Sequence, residues 1–244
     1  MKIVLPICIV FSTLVPLFLP GKFKEQQLTF ERVRTAYDQK WETLQKFLNF
    51  NGLKPGFEMY LAAYKKEGKL EVWLKNKEEQ RYKLFRTYDF CAHSGTLGPK
   101  IKEGDRQTPE GFYKISAFNP KSNFYLSLGI NYPNTVDLAR SGTVKPGTDI
   151  YIHGNCVTIG CIPITDDKIK EVYILAIEAK NGGQENIPVH IFPFKMSKEN
   201  LLAQKTKFPQ HYEFWKELEP AYSWFEQHRT LKEISQAKGR YTIK

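Results

Sequence analysis

Asp149-Ile150-Tyr151-Ile152-His153-Gly154-Asn155-Cys156-Val157-Thr158-Ile159-Gly160-Cys161-Ile162-Pro163-Ile164 holds a strand end, a tight loop and the approach to a helix in one short stretch. The run Asp149–Ile152 has strand character and stops at His-Gly. Gly-Cys follows, and Thr165-Asp166-Asp167 then caps a helix carrying Ile169, Val172, Tyr173 and Ala176, stopped by Asn181-Gly182-Gly183. These residue types suit acyl transfer by a thiol. The attacking species is the thiolate, so an ordinary cysteine pKa of about 8.5 must fall. An imidazole close by lowers it and carries the proton to the leaving amine. Cys161 is then the candidate nucleophile and His153 the candidate base, with the Gly154 carbonyl placed to orient the imidazole. Gly160 lets the chain approach closely, which makes the backbone amides of Gly160 and Cys161 candidate oxyanion donors.

The spacing admits two other readings. Cysteines are often small buried hydrophobes, and a histidine at a strand end can be an ordinary polar residue. A metal site built on His153, Cys156 and Cys161 would need Cys91, His93, Asp166 or Asp167 to complete it, and the sequence has no CxxC pair. No metal and no cofactor is expected, since nucleotide-loop, haem and zinc-protease motifs are missing from the sequence.

Outward from this stretch, Phe57–Tyr64, Leu70–Lys75, Arg81–Arg86, Gly111–Phe118, Tyr125–Ile130 and Pro188–Phe194 read as strands. Residues 94–109, 119–123 and 131–147 read as loops between them. Phe30, Val33, Tyr37, Trp41, Leu44 and Phe47 recur at helical spacing, up to a stop near Asn51-Gly52. From Ser197 onward the pattern is helical and charged, with Phe214, Trp215, Leu218, Tyr222, Trp224 and Phe225 forming a docking face. The expected organisation is therefore an N-terminal helical segment at 21–55, a mostly β catalytic domain at 56–196, and a C-terminal helical extension at 197–244.

The 244 residues carry 41% hydrophobic and 14% aromatic side chains, enough for a core and too apolar for a disordered chain. A formal charge of +10 favours anionic partners: nucleic acid, anionic lipid or the acidic polymers of a cell wall. The lysines are scattered, so no nucleic-acid surface is expected. In residues 1–20, Lys2 is followed by a long apolar run with no acid before Glu25, the pattern of an export signal. Leu17-Phe18-Leu19-Pro20-Gly21 offers no clean small-residue cleavage site, so an uncleaved membrane anchor is the alternative. Beyond it stand Cys91, Cys156 and Cys161, and an odd number in an exported chain flags a free thiol. Pairing of Cys91 with Cys156 would leave Cys161 reactive, and the sequence does not decide whether they pair.

His153-Gly154-Asn155-Cys156-Val157-Thr158-Ile159-Gly160-Cys161 resembles the active-site signature of the L,D-transpeptidase catalytic domain family, also called the YkuD-type domain. It is closest to the branch that writes the motif compactly and includes a murein-lipoprotein amidase. Ser94-Gly95-Thr96-Leu97-Gly98-Pro99-Lys100, Gly104-Asp105-Arg106-Gln107-Thr108-Pro109-Glu110-Gly111-Phe112-Tyr113 and the run Leu126–Asn134 resemble the same family's upstream segments. The likeness runs from about Glu71 to Phe194, and the order of its pieces makes it specific.

That resemblance implies a β-sandwich-like domain with helical additions at both ends and a site in an open groove. It implies Cys161 as nucleophile, His153 as base and the Gly154 carbonyl as the imidazole's holder. The substrates it implies are peptidoglycan stem peptides, attacked to give a thioester. Resolution by an amine makes a transpeptidase, and a wall-anchored lipoprotein is then a candidate partner. Resolution by water makes an amidase or hydrolase. The implied location is the periplasm or cell envelope. A non-catalytic wall- or metal-binding envelope protein is the alternative from another class. The sequence departs from the wider family in lacking a second histidine before Cys161 and in placing Pro163 where a polar residue is usual. Tyr132, Asn134, Arg140 and Lys100 are the candidates to bind substrate in its stead. Tyr132-Pro133-Asn134 reads equally as a turn, and Lys100 with Asp105 as a loop-fixing pair.

Overall fold

The computed structural model describes residues 22–244, so the signal or anchor expected at 1–20 lies outside the described residues. Ten strands and six α-helices follow in order: α1 (Lys22–Leu28), α2 (Glu31–Phe50), β1 (Glu58–Tyr64), β2 (Lys69–Lys75), β3 (Lys83–Asp89), β4 (Gly111–Asn119), β5 (Ser127–Ile130), α3 (Thr135–Ser141), β6 (Tyr151–His153), β7 (Ile162–Pro163), α4 (Thr165–Asn181), β8 (Pro188–Phe192), α5 (Lys198–Lys207), α6 (Tyr212–His228), β9 (Ile234–Ala237) and β10 (Arg240–Ile243). No helix among them is long and apolar enough to cross a membrane.

Eight strands form one mixed, curled sheet in the order β3-β2-β1-β8-β4-β5-β6-β7. The curl comes from β4. Its first residues, Gly111–Lys114, pair antiparallel with β8. Its register then shifts between Ile115 and Ala117, and the remainder pairs with β5. One strand thus belongs to both halves, the device by which a sheet turns a corner into a sandwich-like shape.

β1 sits at the centre of the first half and is buried on both faces. Met59, Leu61 and Ala63 point into the cluster under α2 and α4, while Tyr60, Ala62 and Tyr64 point into the cluster under α6. A strand covered on both sides has no reason to alternate apolar with polar residues, and this one does not. On α2, Val33, Ala36, Tyr37, Leu44 and Leu48 are buried at the helical spacing legible in the sequence. On α6, Phe214, Trp215, Leu218, Tyr222 and Phe225 form the buried stripe, so the C-terminal extension covers one face of the sheet across β1, β2, β8 and the start of β4.

Four expectations change. The stretch 131–147, expected as loop, contains α3. Asn134 accepts from the amides of Val136 and Asp137, and Asp137 reaches back to the Asn134 amide, a complete capping box. Seven residues are too few to show a helical period, so the cap was its one legible sign. The extension at 197–244 is helical only to His228 and closes with the hairpin β9–β10. Lys238 and Gly239 both take positive φ, 51° and 72°, the backbone that suits a two-residue hairpin turn. The third strand lies at Lys83–Asp89 rather than 81–86, and β6 ends one residue later than expected, on His153 itself.

Candidate active site

β6 delivers His153 to the end of the curled half, where the side chain is 1% exposed. Its Nδ1–H donates to the Gly154 carbonyl, which leaves Nε2 as the proton acceptor. The Phe124 ring lies against the imidazole with centroids 4.6 Å apart. Burial lowers the His153 pKa, and the bond to Gly154 offsets this in part. The imidazole is therefore held neutral, in one tautomer.

Gly154 has no room for a side chain: a Cβ there would lie 2.5 Å from Asp166 Oδ1 and 2.9 Å from the Phe124 carbonyl. Of the three residues expected to cap α4, the Thr165 hydroxyl accepts the Lys168 amide at 3.4 Å, while Asp166 instead accepts the Asn155 amide at 2.7 Å. Asn155 sits at φ 59° and accepts the Cys156 amide through its own Oδ1. Cys156 is joined to Cys91 by a disulfide, with Cα atoms 5.2 Å apart. Cys161 is the free cysteine among the described residues.

Cys161 lines a cleft of about 380 Å³ together with Lys100, Arg106, Asp149, Ile159 and Gly160. Gly160 has φ 142°, and a Cβ would meet the Gln107 carbonyl at 2.9 Å, so only glycine lets the loop pass. The thiol donates to the Asp149 carbonyl at 3.5 Å. Burial pushes its pKa up, an effect the Tyr151 amide and the Lys100 charge oppose and Asp149 reinforces. This corrects the expectation of a thiol already depressed by imidazole. Thiol and imidazole thus both rest neutral rather than as a preformed ion pair.

The oxyanion expectation also changes in part. The Gly160 amide donates to Thr158 Oγ1 at 3.1 Å, and the Thr158 hydroxyl donates to the Cys161 carbonyl at 2.8 Å. Gly160 thus shapes the loop, while the Cys161 amide has no hydrogen-bond partner among the described residues.

Of the four candidate substrate binders, only Lys100 lies in the cleft. Its ammonium bonds to Asp105 at 2.7 Å and to the Lys102 carbonyl at 2.9 Å, so it both fixes the loop and charges the wall. Burial works against ionised Asp105, yet Lys100 and three backbone amides hold its carboxyl below the usual range. The other three are drawn into structural work. Tyr132 is buried and donates to the Pro146 carbonyl. Asn134 caps α3 and donates to the Phe112 carbonyl and the Tyr241 hydroxyl. Arg140 stacks on Phe214 with its guanidinium carbon 3.7 Å from the ring centroid and pairs with Glu217. Arg106 and Phe124 were not expected at the site, and Asp166 was expected only as a helix cap or as a ligand in the alternative metal reading. Arg106 lay within the quoted Gly-Asp motif, and Asp166 within the cap, whereas nothing in the sequence marked Phe124.

Residues 58–191 match the sequence model of the L,D-transpeptidase catalytic domain (YkuD) family, and the chain belongs to that family. Among relatives, it is 35% identical over 190 residues to YafK of Escherichia coli, whose name gives it a provisional L,D-transpeptidase assignment; the match covers 77% of this chain and 74% of YafK. Among solved structures, a mutant form of the helical cell shape determining protein Pgp2 of Campylobacter jejuni is 20% identical with a TM-score of 0.44, covering 74% of this chain and 67% of that one. Bd1075 of Bdellovibrio bacteriovorus is 24% identical with a TM-score of 0.40, covering 70% and 60%.

Proposed function

We propose that the chain is a cysteine-dependent acyl-transfer enzyme of peptidoglycan stem peptides, with Cys161 as nucleophile and His153 as base. The observation that carries this reading is the free Cys161 thiol in a cleft bearing Lys100 and Arg106, while the other described cysteines are locked together. A stem peptide offers carboxylates that two cations can hold. The Cys161 sulfur attacks the amide carbonyl while the proton passes to His153 Nε2. The tetrahedral oxyanion forms against the Cys161 amide. Collapse breaks the carbon–nitrogen bond, the departing amine takes the proton from His153, and a thioester remains. A second amine then regenerates the thiol and forms a new amide, either a cross-link or an anchor to a lipoprotein. Water in that place releases a free acid and makes the enzyme an amidase. Such a substrate puts the protein in the periplasm or cell envelope, with residues 1–20 as export signal or anchor.

The test is incubation of the full chain with muropeptides, wild type beside Cys161→Ala, followed by mass spectrometry. New cross-linked dimers from wild type alone support transfer, and shortened monomers alone support hydrolysis. Turnover that survives Cys161→Ala would sink the proposal.

A further inference from the structure

The family match ends at residue 191, yet α6, from beyond it, reaches Glu110 just ahead of β4. Glu110, at the foot of β4, is completely buried. Its Oε1 accepts the Gly98 amide at 2.7 Å and the Lys65 ammonium at 2.8 Å. Its Oε2 accepts the indole N–H of Trp215, on α6, at 2.8 Å. Lys65 also donates to the Gly98 carbonyl at 2.8 Å, so both polar groups of the Gly98 backbone are tied. A second contact comes from the same extension: Gly98 has φ 122°, and a Cβ there would lie 2.4 Å from His211 Nε2. Gly98 leads through Pro99 into Lys100, whose charge bears on the Cys161 thiol.

We infer that Trp215 and Glu110 are positioning residues, through which the C-terminal helix holds the Gly98-Pro99-Lys100 turn and so sets how close the Lys100 ammonium stands to the Cys161 sulfur. The indole N–H fixes which way the Glu110 carboxylate faces. The carboxylate fixes Gly98, and the rigid proline passes that constraint on to Lys100. A phenyl ring at position 215 would keep most of the apolar packing without orienting the carboxylate. The extension is in this sense part of the site, and not only a cover for the sheet. The inference builds on the reading of Cys161 as nucleophile, but its test needs no peptidoglycan.

The test is the pH profile of Cys161 alkylation by iodoacetamide in the full chain, read on the Cys161 peptide by mass spectrometry, with thermal unfolding measured alongside. Trp215→Phe removes the N–H and keeps a ring, and Glu110→Gln keeps an acceptor while removing the charge. Lys100→Met is the reference for losing the cation. Each of the first two should move the alkylation midpoint upward in the direction of Lys100→Met, by about half a pH unit, or threefold in thiolate population. Trp215→Phe combined with Lys100→Met should move it no further than Lys100→Met alone. A Trp215→Phe profile that coincides with wild type, whatever happens to the melting temperature, would overturn the inference, and so would full additivity with Lys100→Met. If Trp215→Phe does not fold, Glu110→Gln decides by the same criterion. Wild-type protein that fails to turn over muropeptides while the midpoint shifts as expected would refute the enzymatic reading and leave the positioning role standing.

Discussion

The two halves of the sheet on either side of β4 are built to different standards. In one, β3, β2, β1 and β8 run five to seven residues, and β1 is buried on both faces by helices that reach it from both ends of the chain. In the other, β5, β6 and β7 run four, three and two residues and give way to loops. The first half is held by apolar burial, which is non-directional and tolerant of detail. The second shares the apolar core through Leu128, Ile152 and Ile162, but its loops add single polar contacts: Asp166 on Asn155, Thr158 on Cys161, Lys100 on Asp105, and a disulfide. Directional contacts are concentrated in the loops where the thiol sits.

Paired substitutions should expose that difference most sharply. Cys161→Ala should lower muropeptide turnover by at least about a thousandfold, with a melting temperature close to wild type. Leu61→Ala, in the middle of β1, should do the reverse. It should cost about 2–5 kcal/mol of unfolding free energy, while the folded fraction keeps its turnover rate. Denaturant titration and assays on the same samples read both. A Leu61→Ala protein that folds normally but is inactive would show that the halves are not separable in this way.

The disulfide offers a smaller perturbation aimed at the site half alone. Cys91 and Cys156 are separated by 65 residues, and closing such a loop restricts the unfolded chain enough to contribute about 4 kcal/mol in the loop-entropy picture. Cys91→Ser combined with Cys156→Ser should lose about that much in denaturant titrations, and turnover should fall as Asn155 and its neighbours loosen. Undiminished stability would mean that Asp166 and the Gly154 packing hold the loop by themselves.

The last effect belongs to the scaffold half and is spread gradually over pH. His190, buried and bonded to Tyr60 at 3.2 Å, has its pKa lowered to about 3 by burial. Its stabilising contribution is whole above pH 6.5, the ordinary histidine value, and is lost as pH falls toward 3, because only the unfolded chain takes up the proton. The loss is about 1.4 kcal/mol per pH unit within that window. Asp137, pushed up to about 6 by burial, works in the opposite direction below that pH, so the absolute slope is a poor measure. The difference in unfolding free energy between wild type and His190→Gln isolates the histidine and should shrink as the solution is acidified. A difference independent of pH between 6.5 and 4 would refute a neutral buried His190.

Legibility followed the same division. Wherever a signal was local, the sequence carried it: the α2 stripe, the β1 run, and the His-Gly and Gly-Cys pairs whose backbone demands show up as Gly154 and Gly160 crowded by neighbours. It failed for Tyr132, Asn134 and Arg140. A polar residue near a motif reads the same whether it faces substrate, as Lys100 can, or satisfies a buried amide, as Asn134 does.

By itself, then, the sequence determined the family, the order of strands and helices through the core, and the two side chains on which the proposed chemistry rests. Tertiary structure alone decided that Cys91 pairs with Cys156, that thiol and imidazole both rest neutral, and that Trp215 closes on Glu110 more than a hundred residues away. The physical reason is range. Backbone geometry and periodicity are set by near neighbours along the chain, whereas desolvation and the partners of buried polar groups depend on which distant segments the folded sheet brings together.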